Sequence, residues 1–186
     1  EYVDRNKIKD ILINQRFNEQ FLITTSCFDA GINIIDTDVK HIVIDIVDIG
    51  SLIQCIGRKR IQNEDDKLNI YIKIINNQKL AGLKRTMEKK IEMADFYMDN
   101  GYSVDKLIEK YPMQNDINNI LYDDLVYDQN GNVIPNSYTK RINEPMYFKK
   151  KEDIADYSIM LKKFDTFGYC KYLALMFGFY DEGTGR

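Results

Sequence analysis

Proline and glycine are scarce in this 186-residue chain, which has three prolines and ten glycines. Because flexible linkers are rich in Gly, Ser or Pro, we expect no long linker between domains. No secretion signal and no run of 18 apolar residues occur, so neither export nor a membrane partner is expected. The three cysteines are widely spaced and lack metal-ligand spacing. They predict reduced thiols and a cytoplasmic location.

An excess of positive charge is also missing. The formal net charge is −3 and the pI is about 5.3, which argues against an overall basic nucleic-acid binder, although a local basic patch would suffice. Apolar residues make up 44% and charged residues 30%, as is typical of a globular protein with a substantial core. The single histidine, His41, supports no histidine-based metal site.

The first part of the chain alternates helical patterns with β-branched runs. Residues 4–17 and 49–60 have helical patterns, and apolar runs occupy 20–25, 40–47 and 68–75. Continuous Ile/Val-rich runs alternating with helices predict parallel strands in βαβ units. We therefore predict an α/β fold whose three strands form part of a larger parallel sheet with flanking helices.

After residue 78 the pattern becomes mainly helical. Apolar residues recur at helical spacing at Leu80, Leu83, Met87, Ile91, Ala94 and Met98. A helix is predicted to begin at the N-cap Ser103, and residues 124–135 read as a hairpin with a type I′ turn at Asn130-Gly131. The predicted domains are residues 1–78 and a mainly α-helical region with a β-hairpin, residues 79–186. The aromatic residues near the C-terminus favour plain core over a base-stacking surface.

Two stretches carry candidate chemistry. "TTSCFDAGINI" (24–34) follows a predicted strand, where ligand sites of α/β sheets lie, and offers hydroxyls and a glycine. "SLIQCIGRKR" (51–60) ends in three cations, of which Arg58 could present a fork of donors to phosphate. Taken singly, a helix cap and a solvated helix end explain the two stretches, and three successive cations on a helix cannot all reach one ligand.

Together, in this order and at this spacing, the two stretches resemble motifs V and VI of superfamily 2 DNA and RNA helicases. The resemblance covers residues 4–76, about two-fifths of the chain, and corresponds to the later half of the C-terminal RecA-like lobe. It implies that Thr25 and Ser26 contact the backbone of the nucleic-acid strand. Gly31 matches the motif V glycine, and Asn33 stands where many relatives have an aspartate that couples to the nucleotide site.

In the second stretch the resemblance implies roles facing ATP. Gln54 matches the first position of motif VI, which bridges to the ATP-binding lobe. Arg58 matches the arginine that approaches the triphosphate, where it would stabilise the charge that develops during phosphoryl transfer. The second arginine of many relatives would fall at Ile61, whereas Arg60 lies one residue earlier. Arg60, or Lys59, is therefore a reserve for that role.

The chain has no phosphate loop of the Gly-x-x-x-x-Gly-Lys-Ser/Thr type and no strand followed by an Asp-Glu pair for Mg²⁺. We therefore expect a fragment, inactive alone, of an ATP-dependent helicase or translocase whose missing first lobe holds ATP and Mg²⁺. The expected partner is nucleic acid, with DNA favoured over RNA. Open strand edges predict dimerisation of the fragment. The alternative is a non-catalytic protein-interaction or architectural module with a degenerate motor half.

Overall fold

The structure is a computed structural model that describes residues 4–24, 32–112, 120–134, 139–179 and 183. Within these residues the protein is mixed α/β, with six helices and three two-stranded sheets. The chain divides into two compact units, Glu1–Lys73 and Ile74–Arg186. The sequence placed this boundary after residue 78.

The first unit contains a parallel strand pair and two helices. Its elements are α1 (Arg5–Asn14), β1 (His41–Ile44), α2 (Ile49–Gly57) and β2 (Asn69–Ile72). Strands β1 and β2 run parallel, with His41 opposite Asn69 and Ile44 opposite Ile72. The predicted parallel pairing of these two runs is confirmed.

The larger predicted sheet is not formed by the residues that the structure describes. Residues 21–24 of the run predicted as a strand are not in a strand, and Phe21 and Ile23 are 74% and 93% exposed. A strand needs a neighbour to receive its backbone hydrogen bonds, and none of the described strands lies beside this run. Val43 and Tyr71 are also exposed, so the two-stranded sheet lacks the double-sided burial expected of a parallel sheet.

The second unit is built on one long helix. Its elements are α3 (Asn77–Asp99), α4 (Val104–Lys110), β3 (Leu121–Asp123), β4 (Val126–Tyr127), β5 (Val133–Ile134), β6 (Lys140–Ile142), α5 (Glu144–Lys163) and α6 (Gly168–Met176). The predicted apolar stripe of α3 faces the core: Leu80 and Ala94 are fully buried, and Ile91 packs with Ala94, Ile120 and Tyr147. Ser103 caps α4 as predicted, accepting a hydrogen bond from the Lys106 amide.

The predicted hairpin forms, but its turn is of another type. Strands β4 and β5 pair antiparallel, and β3 pairs antiparallel with β6. A type I′ turn needs a positive φ at both central residues. Gly131 has a φ of 81°, but Asn130 does not have a positive φ, so the predicted type I′ turn does not form. Instead, the Gly131 amide donates to the Asp128 carbonyl and the Asp128 amide donates to the Asn132 carbonyl. This is a three-residue loop closed by a glycine bulge, and the Asp128 carboxylate stabilises it by accepting from the Asn130 and Asn132 amides.

Helix α6 follows α5 after a short connection, residues 164–167, and the Asn77 side chain contacts both ends of this connection. The Asn77 side chain donates to the Phe164 carbonyl at 2.7 Å and accepts from the Gly168 amide at 2.7 Å. Phe164 and Tyr169 are buried, but Phe177 and Phe179 are exposed. The prediction that the C-terminal aromatic residues are plain core is therefore correct only for part of the cluster.

Candidate functional site

The basic stretch begins where helix α2 ends. Asp48 caps the start of this helix by accepting a hydrogen bond from the Ser51 amide at 2.7 Å, and Ile49 and Leu52 anchor it in the core. The last helical residue is Gly57, with Arg58 as the C-cap. Helix α2 thus ends before the cations at 59 and 60, so the predicted helix over 49–60 is too long at its C-terminal end.

A β-bridge brings the two candidate stretches together. Ile34 pairs in parallel with Lys59. The Ile34 amide donates to the Arg58 carbonyl at 2.7 Å, and the Arg60 amide donates to the Ile34 carbonyl at 2.9 Å. The end of the motif V-like stretch therefore lies against the arginines of the motif VI-like stretch.

Beside this bridge, two of the predicted site residues are in direct contact. The Arg60 Nε donates to the Asn33 Oδ1 at 3.0 Å, across a separation of 27 residues. Arg60 is exposed, and Asn33 is half-buried. This contact uses Nε and not the two terminal amino groups of the guanidinium. Those two groups are the donors best placed to bind a phosphate.

Lys59 is directed away from Arg60 and into the interior. Its side chain is fully buried, and Nζ donates to the carboxylate of Asp66, which is fully buried as well. Nζ also donates to the Arg60 carbonyl at 3.1 Å. A buried ammonium in an ion pair cannot reach a bound triphosphate, so Lys59 is excluded as a reserve for Arg58.

The Asp66 carboxylate stabilises the loop that follows Arg60. Oδ2 accepts from the Gln62 amide at 3.1 Å, and Lys40 Nζ lies 3.7 Å from Oδ1. The hydrogen bond from Lys59, followed by that from the Gln62 amide and the two ammonium charges, holds the pKa of Asp66 below its usual value. The carboxylate is therefore ionised at neutral pH, and Lys59 and Asp66 fix the backbone that carries Arg60.

The positions of the other predicted site residues support their predicted roles less directly. Arg58 is half-buried at the end of α2, with its carbonyl in the bridge. Gln54 is exposed on α2. Thr25, Ser26 and Gly31 lie outside the described residues.

Sequence reasoning missed the Lys59–Asp66 pair. Asp66 ends an acidic run, Glu64-Asp65-Asp66, that has the composition of a solvated loop. No sequence signal separates it from Asp65, which is exposed. The one available hint was that Lys59 and Arg60 follow a helix-ending glycine, and neighbouring side chains in extended backbone point to opposite sides.

Metal and membrane chemistry find no support among the described residues. No group of three or more His, Cys, Asp or Glu side chains is arranged to hold a metal ion in those parts of the chain. His41 is exposed on β1, with its Nδ1 3.2 Å from the Tyr71 hydroxyl. No helix in the described ranges is both long enough and apolar enough to cross a bilayer.

Comparison with known proteins leaves the family undetermined. No protein-family model, no curated protein and no solved structure matches this chain.

Proposed function

We propose that this chain is the C-terminal part of an ATP-dependent superfamily 2 helicase or translocase that moves on DNA or RNA. The observation that supports this proposal is the Ile34–Lys59 bridge, together with the Arg60–Asn33 hydrogen bond. The resemblance implies that motif V holds the nucleic-acid strand and motif VI approaches the triphosphate, so a contact between them would link the two sites. Asn33 and Ile34, at the end of the first stretch, contact Arg60 and Lys59 at the end of the second, and this contact supports the proposal.

In the proposed mechanism, the arginines act on ATP from the edge of the lobe. Arg58 and Arg60 would donate to oxygens of the triphosphate held by a first lobe, and they would stabilise the charge that develops as the terminal phosphoryl group leaves. Asn33 holds Arg60 through Nε, so the terminal amino groups keep one orientation. ATP and Mg²⁺ would be bound by the phosphate loop and the strand-following Asp-Glu pair of that first lobe; these 186 residues contain no phosphate-loop pattern. Thr25 and Ser26 would hold the backbone of one strand.

The test is nucleic-acid-stimulated ATP hydrolysis by the longest natural protein that contains this sequence. We expect Arg58→Ala and Arg60→Ala each to lower kcat by roughly 10²- to 10³-fold, because each removes a donor used in the transition state. Arg85→Ala is the matched control: Arg85 is an exposed arginine of α3 whose Nε reaches only its own helix, at the Ala81 carbonyl. The control should keep full activity.

Two results would count against the motor. Unchanged hydrolysis in both arginine variants would remove the arginines from the mechanism. Absence of any nucleic-acid-stimulated hydrolysis in the longest natural protein would favour the alternative, a non-catalytic interaction module that retains only the shape of half a motor lobe.

A further inference from the structure

The second unit contains a groove that the proposed motor does not use. It lies between the C-terminal end of α3, the turn that follows it, strand β6 and the first turns of α5, and its volume is about 430 Å³. Met98 and Ile142 contribute apolar surface, and Tyr102, Tyr147 and Phe148 contribute three aromatic rings. A space of this size accommodates one planar nucleobase.

Two of these rings are exposed although they are large and apolar. Tyr102 is 61% and Phe148 is 60% exposed. Each is supported from behind by a buried tyrosine: Tyr102 meets Tyr97 edge-on at 5.4 Å, and Phe148 meets Tyr147 edge-on at 5.3 Å. Edge-to-face packing favours particular ring orientations, and more than half of each of these two rings remains accessible to solvent.

The groove also carries two cationic residues that form ion pairs. Lys140 and Arg141 of β6 line it, and each is paired with a carboxylate that does not: Lys140 Nζ lies 2.6 Å from Asp123, and Arg141 Nε lies 2.8 Å from Asp124. The Arg141 side chain remains 65% exposed. One carboxylate, that of Glu144, faces the groove from the start of α5. The positive charge is thus modest, and aromatic surface is the larger feature.

We propose that this groove binds unpaired bases of a single-stranded nucleic acid, which stack on Tyr102 and Phe148 while the exposed Arg141 meets an adjoining phosphate. Stacking on aromatic rings tolerates any base, and nearby cations follow the backbone. This site shares its ligand class with the proposed motor but requires neither ATP nor Arg58 or Arg60. Because the cations are already paired, the affinity depends on stacking more than on charge, and its salt dependence is shallow.

The experiment is a fluorescence anisotropy titration of the full 186-residue chain with labelled dT12 and rU12 at low salt. We expect Tyr102→Ala and Phe148→Ala each to weaken binding roughly tenfold or more. Tyr102→Phe should keep the affinity and Tyr102→Leu should lose it, because only the aromatic variant can stack. Glu144→Gln should bind a few-fold more tightly. Tyr127→Ala is the matched control, since Tyr127 is a 57% exposed tyrosine on β4 that does not line the groove.

Thermal unfolding of every variant checks that the second unit remains folded. The proposal is overturned if neither oligonucleotide binds, if the alanine variants bind like the Tyr127→Ala control, or if Tyr102→Leu binds as well as Tyr102→Phe. Binding at the groove is measured without ATP and is tested by the groove variants, whereas the motor is tested by ATP hydrolysis. A failure of the motor in the hydrolysis assay is therefore distinguishable from a failure of the groove.

Discussion

Alanine substitution at two glycines of the second unit should change stability in opposite directions. Gly168 begins α6, and a Cβ built on it would lie 2.7 Å from the Met160 carbonyl oxygen and 3.1 Å from the Asn77 Oδ1. Gly82 is inside α3, and a Cβ there would have no atom within 4 Å. The same chemical change thus meets a closed site in one helix and an open one in the other.

The expected changes in the free energy of unfolding follow from the surroundings of the two glycines. Met160 is fully buried in α5, so its carbonyl cannot move aside without disturbing the core. Overpacking of this kind costs about 1–3 kcal/mol, and displacement of the Gly168 amide would also weaken its 2.7 Å hydrogen bond to Asn77. At Gly82, alanine restricts the unfolded chain without any clash and stabilises a helix by about 0.5–1 kcal/mol.

The assay is thermal unfolding of the full chain followed by far-ultraviolet circular dichroism, with urea unfolding as a second measure. At roughly 4 °C per kcal/mol, Gly168→Ala should lower the Tm by about 4–12 °C, and Gly82→Ala should raise it by about 2–4 °C. A Tm for Gly168→Ala at or above that of the unsubstituted protein would refute the close approach of α6 to the Met160 carbonyl.

Two further outcomes are expected. Because the pKa of folded Asp66 is lowered, its contribution to stability is present above its unfolded pKa and is lost as the pH falls through the folded value. In urea unfolding, the free energy of unfolding of the first unit should therefore fall below about pH 4. Asp66→Asn should make this fall smaller, and an identical pH profile for the two proteins would contradict the role of Asp66. The exposed edges and faces of β1 and β2 should cause the chain to associate, so small-angle scattering should show mass rising with concentration. A monomer at every concentration would argue against this pairing.

Features set by nearby residues could be predicted from the sequence. The apolar stripe of α3 and the Ser103 cap depend on neighbours within one or two turns, and both are confirmed. The parallel pairing of β1 and β2 followed from two apolar runs separated by a helical pattern. For the stripe and the cap, the signal and the structure lie within a short span of chain, whereas the strand pairing, which joins His41 to Asn69, follows from the order of the elements.

Features that depend on distant partners were missed or misjudged. Whether residues 20–24 form a strand depends on a neighbouring strand, which no local pattern reveals. The burial of Lys59 depends on Asp66, and the orientation of Arg60 depends on Asn33. At Asn130 the turn type was misjudged because the Asp128 carboxylate, bonded to two backbone amides, favours a bulged three-residue loop over the tighter turn.

The Ile34–Lys59 bridge has a consequence for hydrogen exchange. Among the described residues, two backbone hydrogen bonds hold it, those donated by the amides of Ile34 and Arg60. Their formation closes a long loop, whose entropic cost must be met before the arginines reach their positions. The two amides should therefore lose protection together in one local opening event, at a free energy below that of global unfolding. Their common exchange rate would measure the fraction of time for which Arg60 is out of place.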